Sequence, residues 1–264
     1  MADDASLRGR TALITGGSRG IGLAIANALA GCGATLVITG RDTARLASAA
    51  DEIERTHGGK VHTVSLDLAD GSSVAPAFQI IRAAAGQIDI LVNNAGEAAS
   101  APLLRTDTAL WQRMLDVNLT GAWLCIRETL PAMMSADYAR IINIASTAGL
   151  VGYAYVTAYV AAKHGLVGLT RSLALETARS KLTVNAICPG YTDTDLVRDA
   201  VANIASKTGK STEAARASLS AVNPQGRLVQ PEEIAQCVLW LCSTAASSVT
   251  GQSIPIAGGE VMSR

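Results

Sequence analysis

The chain has 264 residues, 49% of them hydrophobic and 17% charged, and its 22 basic and 22 acidic side chains leave a formal net charge of +0. That composition excludes a disordered chain, and balanced charge without a basic stripe excludes a nucleic-acid surface. Aromatics are only 3%, so Ala, Val, Ile and Leu must fill a full-sized core.

In chain order, short β-branched runs alternate with longer helical stretches. Residues 11–15 (TALIT) form an apolar run that ends at a glycine-rich turn, and 21–31 follow with helical period. Residues 35–39 (TLVIT) read as a second strand. Residues 43–57 read as a helix ended by Gly58 and Gly59. A third strand is expected over 61–66, a helix over 70–85 despite Pro76, and a fourth strand over 88–92 (IDILV). A long helical zone follows over 107–134, a strand over 140–145 (RIINIA), a helix over 158–178 and a strand over 182–187 (LTVNAI). Pro189-Gly190 then breaks the chain. Residues 193–222 are polar and Ala/Ser-rich, an expected helical insertion that is either a mobile lid or a solvated surface excursion. A helix over 231–243 opens on Pro-Glu-Glu, and 253–256 form a last strand. Strands alternating with helices mean βαβ units, and thus an α/β fold with one doubly wound parallel sheet of about seven strands. No linker, repeat or low-complexity segment appears, so 1–264 reads as a single domain.

The N-terminal MADDASLRGR lacks an apolar segment, so no signal peptide is expected, and no run of 18 apolar residues suggests a membrane span. The five cysteines form no C-x-x-C pair, and the three histidines share no metal-ligand spacing. No metal is therefore expected. A reducing, cytoplasmic setting fits all of this.

The first turn reads Thr15-Gly16-Gly17-Ser18-Arg19-Gly20-Ile21-Gly22, after a strand and at a helix start. Such a turn lets the backbone approach a pyrophosphate, and the helix start offers N–H groups and partial positive charge to it. An NAD site would place a carboxylate at the end of the second strand. Here Gly40 stands in that place and Arg41 follows, with Arg19 nearby. Two guanidiniums suit a 2′-phosphate, hence NADP(H) over NAD(H); the alternative is a solvated Arg41 with Asp42 capping the next helix. Asp67 and Leu68 end the third strand within reach of adenine. Asn93 and Asn94 end the fourth, beside Ala95 and Gly96; their amides fix backbone or ribose, or simply make a turn. Tyr159 and Lys163, four apart on one helix, share a face, where a lysine cation would lower the phenol's pKa toward working pH. Ser146, at a strand end, can donate to a substrate oxygen.

With those motifs in this order, and with Asn118 in Val-Asn-Leu-Thr-Gly and Pro189-Gly190, the chain resembles the short-chain dehydrogenase/reductase family from Thr11 to Gly259. The resemblance implies Tyr159 as acid or base, Lys163 on its pKa and on the nicotinamide ribose, Ser146 on the substrate carbonyl, and Asn118 on a proton-relay water. It implies that 187–194, with Pro189, Gly190, Thr192 and Thr194, flank the nicotinamide. It also implies a homotetramer built on the helices of 107–134 and 158–178. A substrate lining of Glu97, Ala148, Tyr153, Tyr155 and Tyr191 is expected, with a cationic rim from Arg105, Arg198, Lys207 and Lys210. The 223–233 segment with Gly258-Gly259 resembles members acting on 3-oxoacyl or 3-hydroxyacyl thioesters. Sugars, polyols, cyclic alcohols and steroids are the alternatives. A dinucleotide sensor without chemistry is a further one, although such proteins typically lose the tyrosine or lysine.

Overall fold

Runs of Val, Ile, Leu and Thr become strands, the inner ones buried on both faces as a helix-covered parallel sheet requires and the two edge strands, over 61–65 and 253–256, partly open. In the computed structural model, which describes residues 6–262, they are β1 (Thr11–Thr15), β2 (Thr35–Gly40), β3 (Val61–Ser65), β4 (Ile90–Asn93), β5 (Ala139–Ile144), β6 (Leu182–Pro189) and β7 (Ser253–Ile256). All pair in parallel in one sheet of order β3-β2-β1-β4-β5-β6-β7. The first five residues of the N-terminal segment read above for a leader, and residues 263–264 of the expected domain, lie outside the described residues.

The helices are α1 (Gly20–Gly31), α2 (Thr43–His57), α3 (Val74–Ala85), α4 (Thr108–Leu115), α5 (Gly121–Met134), α6 (Thr157–Glu176), α7 (Asp195–Thr208), α8 (Thr212–Ser220) and α9 (Pro231–Cys242). The strands' two-residue alternation sorts their apolar side chains into two layers. Ala12, Ile14, Leu36, Ile38 and Val92 pack with Ile25, Leu29, Ile53 and Val238 of α1, α2 and α9. Leu13, Val37, Leu91 and Ile141 pack with Phe78, Ile81, Ile126 and Leu173 of α3, α5 and α6. Each such buried side chain contributes about 1.5–3 kcal/mol. Strand order reverses at β1, between β2 and β4, which opens a crevice at the carboxyl ends of the strands.

Several expected boundaries move. The 88–92 strand begins at Ile90; just before it the Asp89 carboxylate accepts from the Thr11 N–H (2.9 Å) and from Arg10 (3.2 Å). The 70–85 helix begins with a separate 3₁₀ turn, Gly71–Ser73, where Asp70 accepts from Ser72 N; α3 follows. Pro189 does not break the chain. It is the last residue of β6, paired with Ile256, and its neighbour Gly190 donates to Ile256 O. The long zone over 107–134 is two α-helices joined by a π-helical turn, Asp116–Thr120, with Pro131 inside the second. Gly121 closes that turn against Leu68, whose Cβ would stand 2.7 Å from an added methyl.

Candidate active site

A cleft of about 1270 Å³ runs along the carboxyl ends of β1 to β6, and the expected catalytic and cofactor residues line it with Glu97, Ala148, Tyr153, Tyr155 and Tyr191, whereas Asn93 and the expected rim cations Arg105, Arg198 and Lys210 do not. At one end the glycine turn is shaped by sterics. Gly16 and Gly20 have φ of 66° and 52°, the left-handed region that glycine alone enters freely. A methyl group on Gly22 would stand 2.2 Å from Gly16 O. The Asn94 amide donates to Thr15 O (2.9 Å) and Gly16 O (3.1 Å), while Thr15 Oγ1 accepts from the Asn94 and Ala95 N–H groups, each at 3.0 Å. Asn94 thus fixes backbone, one of its two expected uses. Among the described residues no side chain caps the start of α1. A helix start without an internal acceptor, beside a turn with no room for a side chain, fits a bound pyrophosphate.

The cations at this end already have carboxylate partners. Arg41 lies 3.0 Å from Glu97 Oε1, and Arg113 binds the same carboxylate through two contacts of 2.8 Å. Glu97, expected among substrate contacts, is therefore turned toward Arg41. Its backbone is tied to Asn118, whose Oδ1 accepts from Glu97 N (3.2 Å) and whose Nδ2 donates to Glu97 O (2.9 Å). Arg19 reaches Asp195 at 3.2 Å and Arg45 reaches it at 3.6 Å. Asp42 caps α2 by accepting from Arg45 N. Arg45 and Asp195 both line the cleft and were not singled out from the sequence. Arg45 was discoverable, since it lies one helical turn beyond Arg41.

Midway along the cleft stand the groups able to move a proton. Ser146 follows β5, and its hydroxyl accepts from Ala148 N (3.1 Å). Lys163 is buried, donates to Ile144 O (2.9 Å), and sits 5.6 Å from the centre of the Tyr159 ring. Burial pushes the Lys163 ammonium down to about 8. Burial likewise holds the Tyr159 phenol above its ordinary range, and hydrogen bonding with Ser146 works the other way. The net lowering expected from Lys163 is not found: burial outweighs the opposing hydrogen bond with Ser146. Asn118 sits in the π-helical turn and also donates to Met114 O (3.0 Å). Gly96 leaves the space around it open: an added Cβ would stand 2.9 Å from Asn118 Oδ1 and 3.6 Å from Lys163 Nζ.

Beyond Tyr159 the walls become aromatic and polar. The Tyr153 hydroxyl donates to the Glu260 carboxyl and lies 2.9 Å from Thr147 Oγ1. Glu260 is half-buried, and burial raises its pKa; its Oε2 is enclosed without a hydrogen-bond partner among the described residues. Gly190 makes room for it, since a Cβ there would meet Glu260 Oε2 at 2.8 Å. Tyr155 has φ of 67°, unusual for a bulky residue, and is 63% exposed at the cleft mouth. No local signal marked Glu260, which meets Tyr153 across 107 residues. The 193–222 segment folds as α7 and α8 around their own cluster of Val197, Val201, Ala215 and Leu219, with Tyr191 packed against it. Of the expected rim cations, Lys207 lines the cleft, while Arg198 is paired with Asp193 and Asp195.

Among the described residues no group of His, Cys, Asp and Glu could hold a metal ion, and no helix is long and apolar enough to cross a membrane.

Residues 10–205 match the family model described as short chain dehydrogenase. The chain is 39% identical over 253 residues to a 3-oxoacyl-(acyl-carrier-protein) reductase of Aquifex aeolicus, covering 96% of this chain and 98% of that one. It is 40% identical over 256 residues to a D-beta-hydroxybutyrate dehydrogenase of Cupriavidus necator, covering 97% and 99%. The L-sorbose reductase of Gluconobacter frateurii, solved with NADPH and L-sorbose, superposes with a TM-score of 0.93 at 29% identity, over 99% of this chain and 100% of that one.

Proposed function

The chain belongs to the short-chain dehydrogenase family, NAD(P)-dependent enzymes acting on CH–OH groups, and from that premise we propose that it uses NADP(H) to interconvert a 3-oxoacyl and a 3-hydroxyacyl thioester. The observation that carries the cofactor half is the end of β2. Gly40 leaves no carboxylate for a ribose 2′-hydroxyl, and three arginines, Arg19, Arg41 and Arg45, line the cleft there. The substrate half is supported by the two relatives above, whose names both place the reacting oxygen on the β-carbon of an acyl chain. Lys207 on the cleft wall is a cation for a thioester's phosphates.

In this reading the glycine turn and the start of α1 hold the pyrophosphate. Asp67 and Leu68 meet the adenine, and Pro189, Gly190, Thr192 and Thr194 line the nicotinamide end. The bound nicotinamide supplies or takes up the hydride. Tyr159 gives its hydroxyl proton to the substrate oxygen in reduction and takes it back in oxidation. Ser146 donates a hydrogen bond to that oxygen, and Lys163 holds positive charge beside the phenol. Asn118, with Gly96 opening the space to Lys163, holds the water through which the proton is replaced. The 193–222 helices act as a lid.

A second reading, a sugar or polyol substrate, is favoured by the hydroxyls of Thr147, Tyr153 and Tyr191 on the cleft wall, with the Glu260 carboxyl behind Tyr153. Cyclic alcohols and steroids suit the aromatic wall less specifically. A dinucleotide sensor without chemistry is disfavoured because Asn118, Ser146, Tyr159 and Lys163 all line the cleft.

We further propose a homotetramer through α4, α5 and α6. Trp111 and Trp123, 36% and 41% exposed, and the 80% exposed Leu175 lie on these helices. Sedimentation as a monomer would remove that assignment. Five free thiols, three of them buried, support a reducing cytoplasmic setting, which fractionation of cells would test.

The deciding experiment follows NADPH and NADH oxidation with acetoacetyl-CoA. NADPH-preferring turnover supports the whole reading. Activity confined to a ketose and polyol panel discards the thioester, and equal use of NADH discards the 2′-phosphate argument.

A further inference from the structure

The lid is tied at its root to the nucleotide end of the cleft. Asp195, the first residue of α7, pairs through Oδ2 with Arg19 of the glycine turn (3.2 Å) and with Arg45 of α2 (3.6 Å). Its neighbour Thr194 packs on the same turn, its Cγ2 standing 3.2 Å from where a Cβ on Gly20 would be. Asp195 also accepts from Arg198 on the next turn of α7. One lid carboxylate therefore neutralises two of the three arginines that line the end of β2.

Resting on the NADP(H) reading above, we propose that Asp195 is a cofactor-selectivity residue that competes with the 2′-phosphate for Arg19 and Arg45. A 2′-phosphate brings about two negative charges and three acceptor oxygens, so it displaces an exposed carboxylate from a guanidinium. A 2′-hydroxyl brings neither and leaves the pairs in place. Asp195 thus weakens NADP(H) binding while hardly touching NAD(H). Because Asp195 begins α7, the exchange also releases the lid's root from the glycine turn, so the same contact that reads the cofactor sets how tightly the lid is held.

The test is the pair of dissociation constants for NADPH and NADH, read by titration of the bound nicotinamide's fluorescence. It is made on the unaltered protein, on Asp195→Asn and on Asp193→Asn. Asp193 is the control: it pairs with Arg198 and Arg216, both in the lid, and with neither Arg19 nor Arg45. Asp195→Asn is expected to tighten NADPH about fivefold, the scale of one or two exposed ion pairs, and to leave NADH within about twofold. Asp193→Asn is expected to leave the ratio unchanged. If the unaltered protein prefers NADPH but Asp195→Asn leaves the ratio unchanged or weakens NADPH, the competition is overturned and the NADP(H) reading stands. An equal shift in Asp193→Asn also overturns it, since lid charge in general would then be responsible. If neither the unaltered protein nor Asp195→Asn prefers NADPH, both fall together.

Discussion

At the glycine turn of the cleft the decisive atoms belong to the backbone: two left-handed glycines, the crowded Gly22, and carbonyls held by the Asn94 amide. At the substrate end they are the tips of side chains brought from distant places, Tyr153 and Thr147 after β5 and Glu260 after β7. The first arrangement tolerates almost no added atom. The second leaves the fold alone when a hydroxyl or carboxyl is exchanged. One fold can therefore keep a dinucleotide cradle while its substrate changes.

Four measurements would break or sharpen that contrast. The largest effect is expected from Tyr159→Phe, which removes only the transferable proton. Turnover should fall about 10³-fold while NADPH affinity stays within about twofold; a variant keeping a tenth of its activity would remove Tyr159 as the acid. Next is Gly22→Ala, where backbone at 2.2 Å has nowhere to go. It should lower stability by about 2–4 kcal/mol in denaturant titration and abolish dinucleotide binding, and normal binding would contradict a backbone-built cradle. Third, Lys163 holds its proton below about pH 8 and loses it above. If reduction uses the Lys163 ammonium and the protonated Tyr159, as proposed, its kcat/KM should be level near neutrality and decline as pH rises through about 8. A level profile to pH 10 would exclude Lys163's charge from the step. Smallest is Glu260→Gln, which keeps a partner for Tyr153 but no ionisable group. It should change KM a few-fold, about two- to fivefold, with unchanged NADPH affinity, and an effect on NADPH instead would put Glu260 at the wrong end of the cleft.

This contrast also explains what could be read from residue order. Backbone-built features are local, so the turn at 15–22, the strand ends and the i,i+4 pair of Tyr159 and Lys163 were legible along the chain, as were all seven strands to within two residues. Features made by distant partners were not. The pairing of Glu97 with Arg41, of Asp195 with Arg19 and Arg45, and of Glu260 with Tyr153 each depends on the folded sheet. The π-helical turn holding Asn118 escaped for another reason. One widened turn barely disturbs helical periodicity, and only the Gly121 contact with Leu68 shows why it is there.

Because β1 lies between β2 and β4, the molecule also has an order in time. A chain growing from its N-terminus holds β1 to β4 and every group of the glycine cradle once Asn94 is made, before Ser146, Tyr159, Lys163 or Glu260 exist. N-terminal structure forms first during synthesis, and pairings as distant as Ala12 with Ile90 are slow to close. Dinucleotide in the surrounding solution favours whichever chains have closed that pairing, by mass action alone. A dinucleotide bound at that turn would then act on assembly before it acts as a reactant.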